Sequence, residues 1–227
     1  MPAKKPPSKK PPSKKPVAKK PVKKEFDLLY RNSKHTFEFP SLEGSHQIEN
    51  ASTAIATVMS LKNTIISNKI INEGLVSANW PARMQLLDKG RLSKIIGKRF
   101  ELWLDGGHNL DAARIIKNKI ETWEQQNIII ILGMMNGKSP VSFLRKIIKG
   151  ISTLFLLPIT NQNYIQPYEI KNKLQKKLNP RMEIHCSLDI NEALRKIRQK
   201  YSYGKVIVCG SLYLAGQILK EDGFIIK

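Results

Sequence analysis

The chain has 227 residues, 41% of them hydrophobic, and a formal charge of +21, enough for one globular domain with a sizeable core plus an extra segment. No apolar run approaches the roughly 18 residues that span a bilayer, and no apolar stretch near the start marks a secretory signal. Cys186 and Cys209 fit neither a zinc site nor a disulfide framework, so buried, reduced thiols in a cytoplasmic protein are expected.

The charge is unevenly spread. Residues 1–24 hold ten of the 39 basic side chains and no acid; the remaining 203 residues carry 29 basic and 18 acidic ones, a surplus of 11. The arm is a decaying pentad repeat that begins Lys4-Lys5-Pro6-Pro7-Ser8. Proline forbids helix and like charges repel, so an extended, disordered arm is expected. It suits a tether to nucleic acid or to an anionic surface. A solvated extension with no fixed partner is the plainer alternative, and no aromatic side chain interleaves the lysines for base stacking.

Two β-like runs follow, Phe26–Tyr30 and His35–Phe39, with Arg31-Asn32-Ser33-Lys34 as the turn. Residues 45–62 read as a helix with Ser45 as N-cap and an apolar stripe of Ile48, Ala51, Ile55, Val58 and Met59. A short helix over Asn68–Leu75 and a short strand over Met84–Leu87 are expected on either side of the Trp80-Pro81 break. From Phe100 the pattern alternates. Strands are expected at Phe100–Leu104, Ile128–Leu132, Thr153–Leu157, Met182–Cys186 and Val206–Cys209. Helices are expected at Leu110–Trp123, Pro140–Lys149, Pro167–Leu178, Ile190–Tyr201 and Leu212–Leu219. Continuous apolar runs such as Ile128–Leu132 suit strands buried on both faces. Alternation of this kind predicts an α/β fold, a five-stranded, mostly parallel, doubly wound sheet. Ligands of such sheets sit beyond the carboxyl ends of the strands.

Three strand ends therefore matter. Asp105-Gly106-Gly107-His108-Asn109 lets a ligand approach the backbone closely; Asp105 and His108 suit a ribose or a metal-bound phosphate, or else Asp105 braces the turn and Asn109 caps the helix. Gly133-Met134-Met135-Asn136-Gly137-Lys138-Ser139 nearly spells a phosphate loop, but three residues rather than four separate the glycines. A tight turn presenting Lys138 is the better reading. Gly210-Ser211 offers backbone N–H groups at a helix start, or a simple N-cap.

Five segments in order, GSHQIENASTAIA (44–56), WPARMQ (80–85), LDGGHN (104–109), GMMNGKSP (133–140) and CGSLYLAG (209–216), resemble the C-terminal part of folylpolyglutamate synthase/dihydrofolate synthase, a member of the Mur ligase family. The resemblance implies a Rossmann-like, mostly parallel sheet flanked by helices over residues 88–227. It makes residues 25–87 remnant strands and helices of a preceding ATPase domain. It implies a ligase that uses ATP and Mg2+ to activate a folate or dihydropteroate carboxylate as an acyl phosphate, which the glutamate amine then attacks. Carried over by position, Asn50 faces the base and Arg83 reaches the phosphates, while Asp105 holds the ribose or the closed domain arrangement. His108 and Asn109 line the acyl-phosphate or glutamate side, and Ser211 belongs to a glutamate-site or structural segment. Arg83, Asp105 and His108 are the catalytic candidates, and no metal ligand is assigned.

The sequence also departs from the family pattern. Ala82 replaces a glycine, Gly107 an alanine, Leu110 a proline and Ser139 an aspartate. No Gly-Thr-Asn-Gly-Lys-Gly-type phosphate loop precedes Phe26. Three functional readings follow: half of a ligase whose ATPase domain lies on a separate chain, a catalytically dead remnant, or a nucleic-acid- or membrane-binding module that uses the basic arm.

Overall fold

The structure, a computed structural model, describes residues 24–42, 44, 46–61, 66–123, 127–178 and 181–224. The expected disorder of residues 1–24, apart from Lys24, and the expected N-cap Ser45 lie outside these residues.

An antiparallel hairpin opens the chain, β1 (Glu25–Tyr30) against β2 (Ser33–Glu38), with Phe26 opposite Phe37. The turn is tighter than expected. Only Arg31 and Asn32 form it, at φ 47° and 64°, the double left-handed step of a two-residue hairpin loop. Ser33 and Lys34 already belong to the ladder. Helices α1 (His46–Ser60) and α2 (Asn68–Ser77) follow, and α2 is tied to the hairpin where Glu38 N donates to Asn72 Oδ1 at 2.9 Å.

The second sheet has six strands rather than five, in the order β3-β4-β8-β5-β6-β7. They are β3 (Gln85–Leu86), β4 (Phe100–Leu104), β5 (Ile128–Leu132), β6 (Thr153–Leu156), β7 (Glu183–Cys186) and β8 (Gly204–Cys209). The added strand is β3, antiparallel to the end of β4; all other pairings are parallel. Between them run α3 (Arg91–Ile96), α4 (Leu110–Glu121), α5 (Pro140–Ile147), α6 (Pro167–Leu178) and α7 (Ile190–Lys200), and α8 (Leu212–Asp222) follows β8.

Alternate strand residues feed two cores. Ile128, Ile130 and Leu132 pack with Ile116 of α4, Leu144 of α5 and Leu174 of α6. Ile129 and Ile131 pack on the opposite face with Leu92 of α3, Leu194 of α7 and Ile218 of α8. All five residues of β5 are buried, as expected of a strand covered on both sides. The edge strand β7 is different: Cys186 is exposed, contrary to expectation, at the edge of the described sheet, whereas Cys209 in the central β8 is buried.

At the other edge, Trp103 and Trp123 pack with ring centroids 5.6 Å apart. Lys119 Nζ lies 4.5 Å from the Trp103 ring centre and Lys205 Nζ 5.2 Å from that of Trp123. Lys205 pairs with Glu101 at 2.6 Å, and Glu101 also accepts from Trp103 Nε1 at 3.0 Å. Burial opposes ionisation of Glu101, but these donors outweigh it and hold its pKa below the ordinary value.

Candidate functional site

The chain crosses from β4 through α4 to β5 on one face of the sheet, then returns through α7 to insert β8 between β4 and β5. Adjacent strands β4 and β8 thus send their following helices to opposite faces. This leaves a crevice beyond their carboxyl ends, the usual ligand position in such sheets.

Four of the five motifs meet there through the backbone. Asp105 N donates to Val208 O at 2.9 Å, and Gly106 N donates to Ala82 O at 2.8 Å. Gly210 N donates to Gly107 O at 2.9 Å, and Gly133 N to Cys209 O at 3.2 Å. Gly210 adopts φ +106°, and a Cβ there would fall 2.6 Å from the Gly133 carbonyl oxygen. Only glycine fits such a crossing.

Asp105 is the knot. It is 5% exposed, accepts Gly107 N at 2.7 Å on Oδ1 and accepts Met84 N at 3.0 Å on Oδ2. Desolvation pushes its pKa up; the two amides and the charges of Arg83 and His46 oppose that shift and only partly offset it. The Met84 bond fastens the Trp80–Met84 loop over the turn. In that loop Ala82 and Met84 adopt φ 57° and 44°, left-handed backbone on both sides of the exposed Arg83. Ala82 N is held by Gln85 Oε1 at 2.9 Å. The strained bracket fixes where Arg83 leaves the surface.

Beside it lies a cleft of about 810 Å³. Its walls are apolar, with Ala54, Ile55 and Val58 from α1, Ile70 and Leu75 from α2, and Ile115 from α4. Its polar end gathers His46, Gln47, Asn50, Arg83, Asp105 and Asn109. Burial and the Arg83 charge depress the His46 pKa, against the opposing pull of Asp105 and Glu49. Gly44, at φ +113°, makes room for this ring, since a Cβ there would lie 2.5 Å from His46 Cε1.

Of the six expected site residues, Asn50, Arg83, Asp105 and Asn109 line this one cleft, while His108 and Ser211 do not. Asn109 caps α4, accepting Ala112 N at 2.9 Å, and Ser211, 2% exposed, caps α8, accepting Tyr213 N at 3.1 Å. His108 Nδ1 lies 3.3 Å from Gly106 O. A carbonyl only accepts, so the Nδ1 proton points there and Nε2 remains for another partner. The second loop forms the tight turn expected: Gly137 has φ +82°, Lys138 N donates to Met135 O at 3.3 Å, Lys138 is exposed and Ser139 caps α5. Sequence reasoning gave no role to His46, Gln47 or the Met84 N–H. The first two stand in a motif it quoted, but a backbone N–H carries no side-chain signal.

Among the described residues no three His, Cys, Asp or Glu side chains gather as metal ligands. Magnesium takes one or two protein carboxylates besides nucleotide phosphates, and Asp105 and Asp111 are carboxylates on the cleft lining. An adenine nucleotide fits a cleft of this size with apolar walls, an amide and a guanidinium.

Comparison with known proteins gives the same family. Dihydrofolate synthetase of Saccharomyces cerevisiae is 25% identical over 191 residues, covering 79% of this chain and 44% of that protein. The probable dihydrofolate synthetase of Schizosaccharomyces pombe is 24% identical, covering 82% of this chain and 45% of its own. The chain thus spans just under half the length of these relatives. Among solved structures, Mycobacterium tuberculosis folylpolyglutamate synthase complexed with ADP superposes with a TM-score of 0.72 at 12% identity, over 89% of this chain and 48% of that one. Folylpolyglutamate synthase from Thermotoga maritima gives 0.61 at 23% identity, over 83% and 42%. At these identities the superpositions establish the shared fold. A sequence profile of the dihydrofolate synthetase C-terminal domain matches residues 87–221, and on that match the chain belongs to this family.

Proposed function

We propose that residues 25–227 supply the C-terminal wall of an ATP-dependent ligase that joins glutamate to dihydropteroate or a folate. The observation that carries this reading is that Asn50, Arg83 and Asp105, three residues far apart in sequence, line one cleft at the switch point of the sheet. Asn50 faces the adenine and Arg83 reaches the phosphates, where a guanidinium offsets charge during transfer. Asp105 holds the loop that aims Arg83 and keeps lone pairs for a ribose hydroxyl. His108 and Asn109 face the acyl phosphate and glutamate, and Ser211 keeps the neighbouring turn in shape. Magnesium, when present, neutralises phosphate charge and is held by the nucleotide and by another domain. We place residues 25–87 with that ATPase domain and residues 88–227 in the family's C-terminal domain, acting in the cytoplasm.

An arginine without a phosphate-wrapping loop binds ATP weakly, on the order of mM, and transfer needs the reactants enclosed in line. Trp80, Leu212 and Tyr213 within the motifs, and Leu110 next to one, are exposed apolar side chains suited to such closure. The chain is therefore inactive alone and active only with a domain bearing a phosphate loop, on whichever polypeptide that domain resides. Steady-state ADP release checks this. The purified chain with ATP, magnesium, glutamate and dihydropteroate gives none. Addition of the N-terminal half of a two-domain relative restores it, and Arg83→Ala abolishes the restored rate. ADP release by the chain alone, blocked by Asp105→Ala, would overturn inactivity; no restoration and no adenine-nucleotide binding would overturn the ligase reading.

The arm of residues 1–24 is proposed as a tether to nucleic acid or anionic surfaces through its ten lysines. Its removal lowers the salt needed to elute the chain from immobilised heparin. An unchanged elution position would dismiss the tether in favour of a solvated extension.

A further inference from the structure

Gln47 and Asn50 stand one turn apart on α1, and both line the cleft. Gln47 is 5% exposed, and its Oε1 accepts Asn50 Nδ2 at 3.0 Å. A primary amide has two N–H donors and one carbonyl. The bond to Gln47 uses one donor and fixes which way the Asn50 amide is turned. One N–H and Oδ1 remain for a ligand.

A donor beside an acceptor complements the adenine edge, whose N7 accepts and whose N6 amino group donates. Guanine offers N7 and O6, both acceptors, to the same partner and leaves Oδ1 facing an oxygen. Were the amide turned over, with its carbonyl toward Gln47, Asn50 would present N–H groups only, and guanine would be the better fit. The choice between the two bases then lies with the group that meets Asn50 from behind.

We infer that Gln47 is a positioning residue that sets the Asn50 amide and thereby makes the cleft select adenine over guanine nucleotides. The inference rests on the nucleotide-site reading above. Gln47 suits the task because it is buried among the first turns of α1, and its backbone N is itself held by Gly44 O at 3.0 Å. An acceptor placed there is the requirement. Gln47→Glu keeps it in similar volume, and Gln47→Met removes it.

The test uses the full chain with ADP and GDP as probes, titrated by amide NMR. Wild type and Gln47→Glu prefer ADP by about tenfold or more, the discrimination a two-bond base contact gives. Gln47→Met, with its melting curve showing it folded, loses that preference, and the two bases bind within about twofold of each other. A nucleotide-free measurement accompanies it. In wild type and Gln47→Glu, one Asn50 side-chain proton is shifted and protected by its bond; in Gln47→Met neither is. An ADP preference unchanged in Gln47→Met overturns the inference and leaves the nucleotide site standing. A wild type that binds neither nucleotide, or does not prefer ADP, overturns both together. Should Gln47→Met not fold, the Asn50 protons of wild type and Gln47→Glu decide: one bonded proton supports the inference, and two freely exchanging protons overturn it.

Discussion

At Asp105 a single carboxylate does two things that pull against each other. Its two oxygens take the N–H groups of Met84 and Gly107, which ties two distant segments, yet it is buried enough that ionisation is disfavoured. The sign of the pH effect follows. A carboxyl whose folded pKa is raised contributes stability that is full below its unfolded value and is lost as pH rises through the folded one. Asp105→Asn does not titrate, but its amide nitrogen faces one of the two donors. The variant is expected to be less stable by about 1–3 kcal/mol, the cost of a buried polar group left unsatisfied. The gap to wild type is widest at acid pH and narrows as pH rises through the Asp105 value. Urea melts at about pH 4 and about pH 7 check this, and a gap that stays constant or widens would remove the buried-carboxyl account. Ala82 is a second instance of local strain. It occupies left-handed backbone at a position where the resemblance places a glycine, so the chain keeps the loop conformation without the residue that adopts it most easily.

At the scale of elements, the clearest signal came from complete burial. Ile128–Leu132 was readable to the residue because a strand between two helical layers must be apolar throughout. Phe100–Leu104 was readable despite Glu101, because its last three residues are apolar and buried. Helix α3 was not readable. Its six residues offer only Leu92 and Ile96 as buried positions, and its Gly90 cap makes no side-chain bond. A two-residue antiparallel strand such as β3 carries too short a pattern to announce its partner, which added a sixth strand to the sheet. The site was legible as motifs but not as an assembly, because Gly106 to Ala82, Gly210 to Gly107 and Gly133 to Cys209 are joined by backbone groups that every residue except proline can supply. The central crossing can be tested directly. Gly210→Ala adds a methyl against the Gly133 carbonyl in a backbone region hostile to side chains, and is expected to cost about 1–3 kcal/mol. A lower urea midpoint with an unchanged slope is the expected signature. An unchanged midpoint would mean that the β5 and β8 ends are not held together as described.

The whole molecule divides into a well-covered two-sided sheet and a cleft whose apolar walls come from α1 and α2. No helix among the described residues is long and apolar enough to cross a membrane. The match covers just under half of each yeast relative. The tryptophans follow the same division. Trp103 is 8% exposed and packs on Trp123 under two lysine ammonium groups, whereas Trp80 is 63% exposed and sits on the cleft wall. An indole in water emits further to the red and meets dissolved quenchers freely, while one packed into the core stays shielded. The red edge of the chain's own fluorescence thus belongs to Trp80, and whatever fills the cleft or closes over it announces itself as a loss of quenching by neutral acrylamide, with no dye attached.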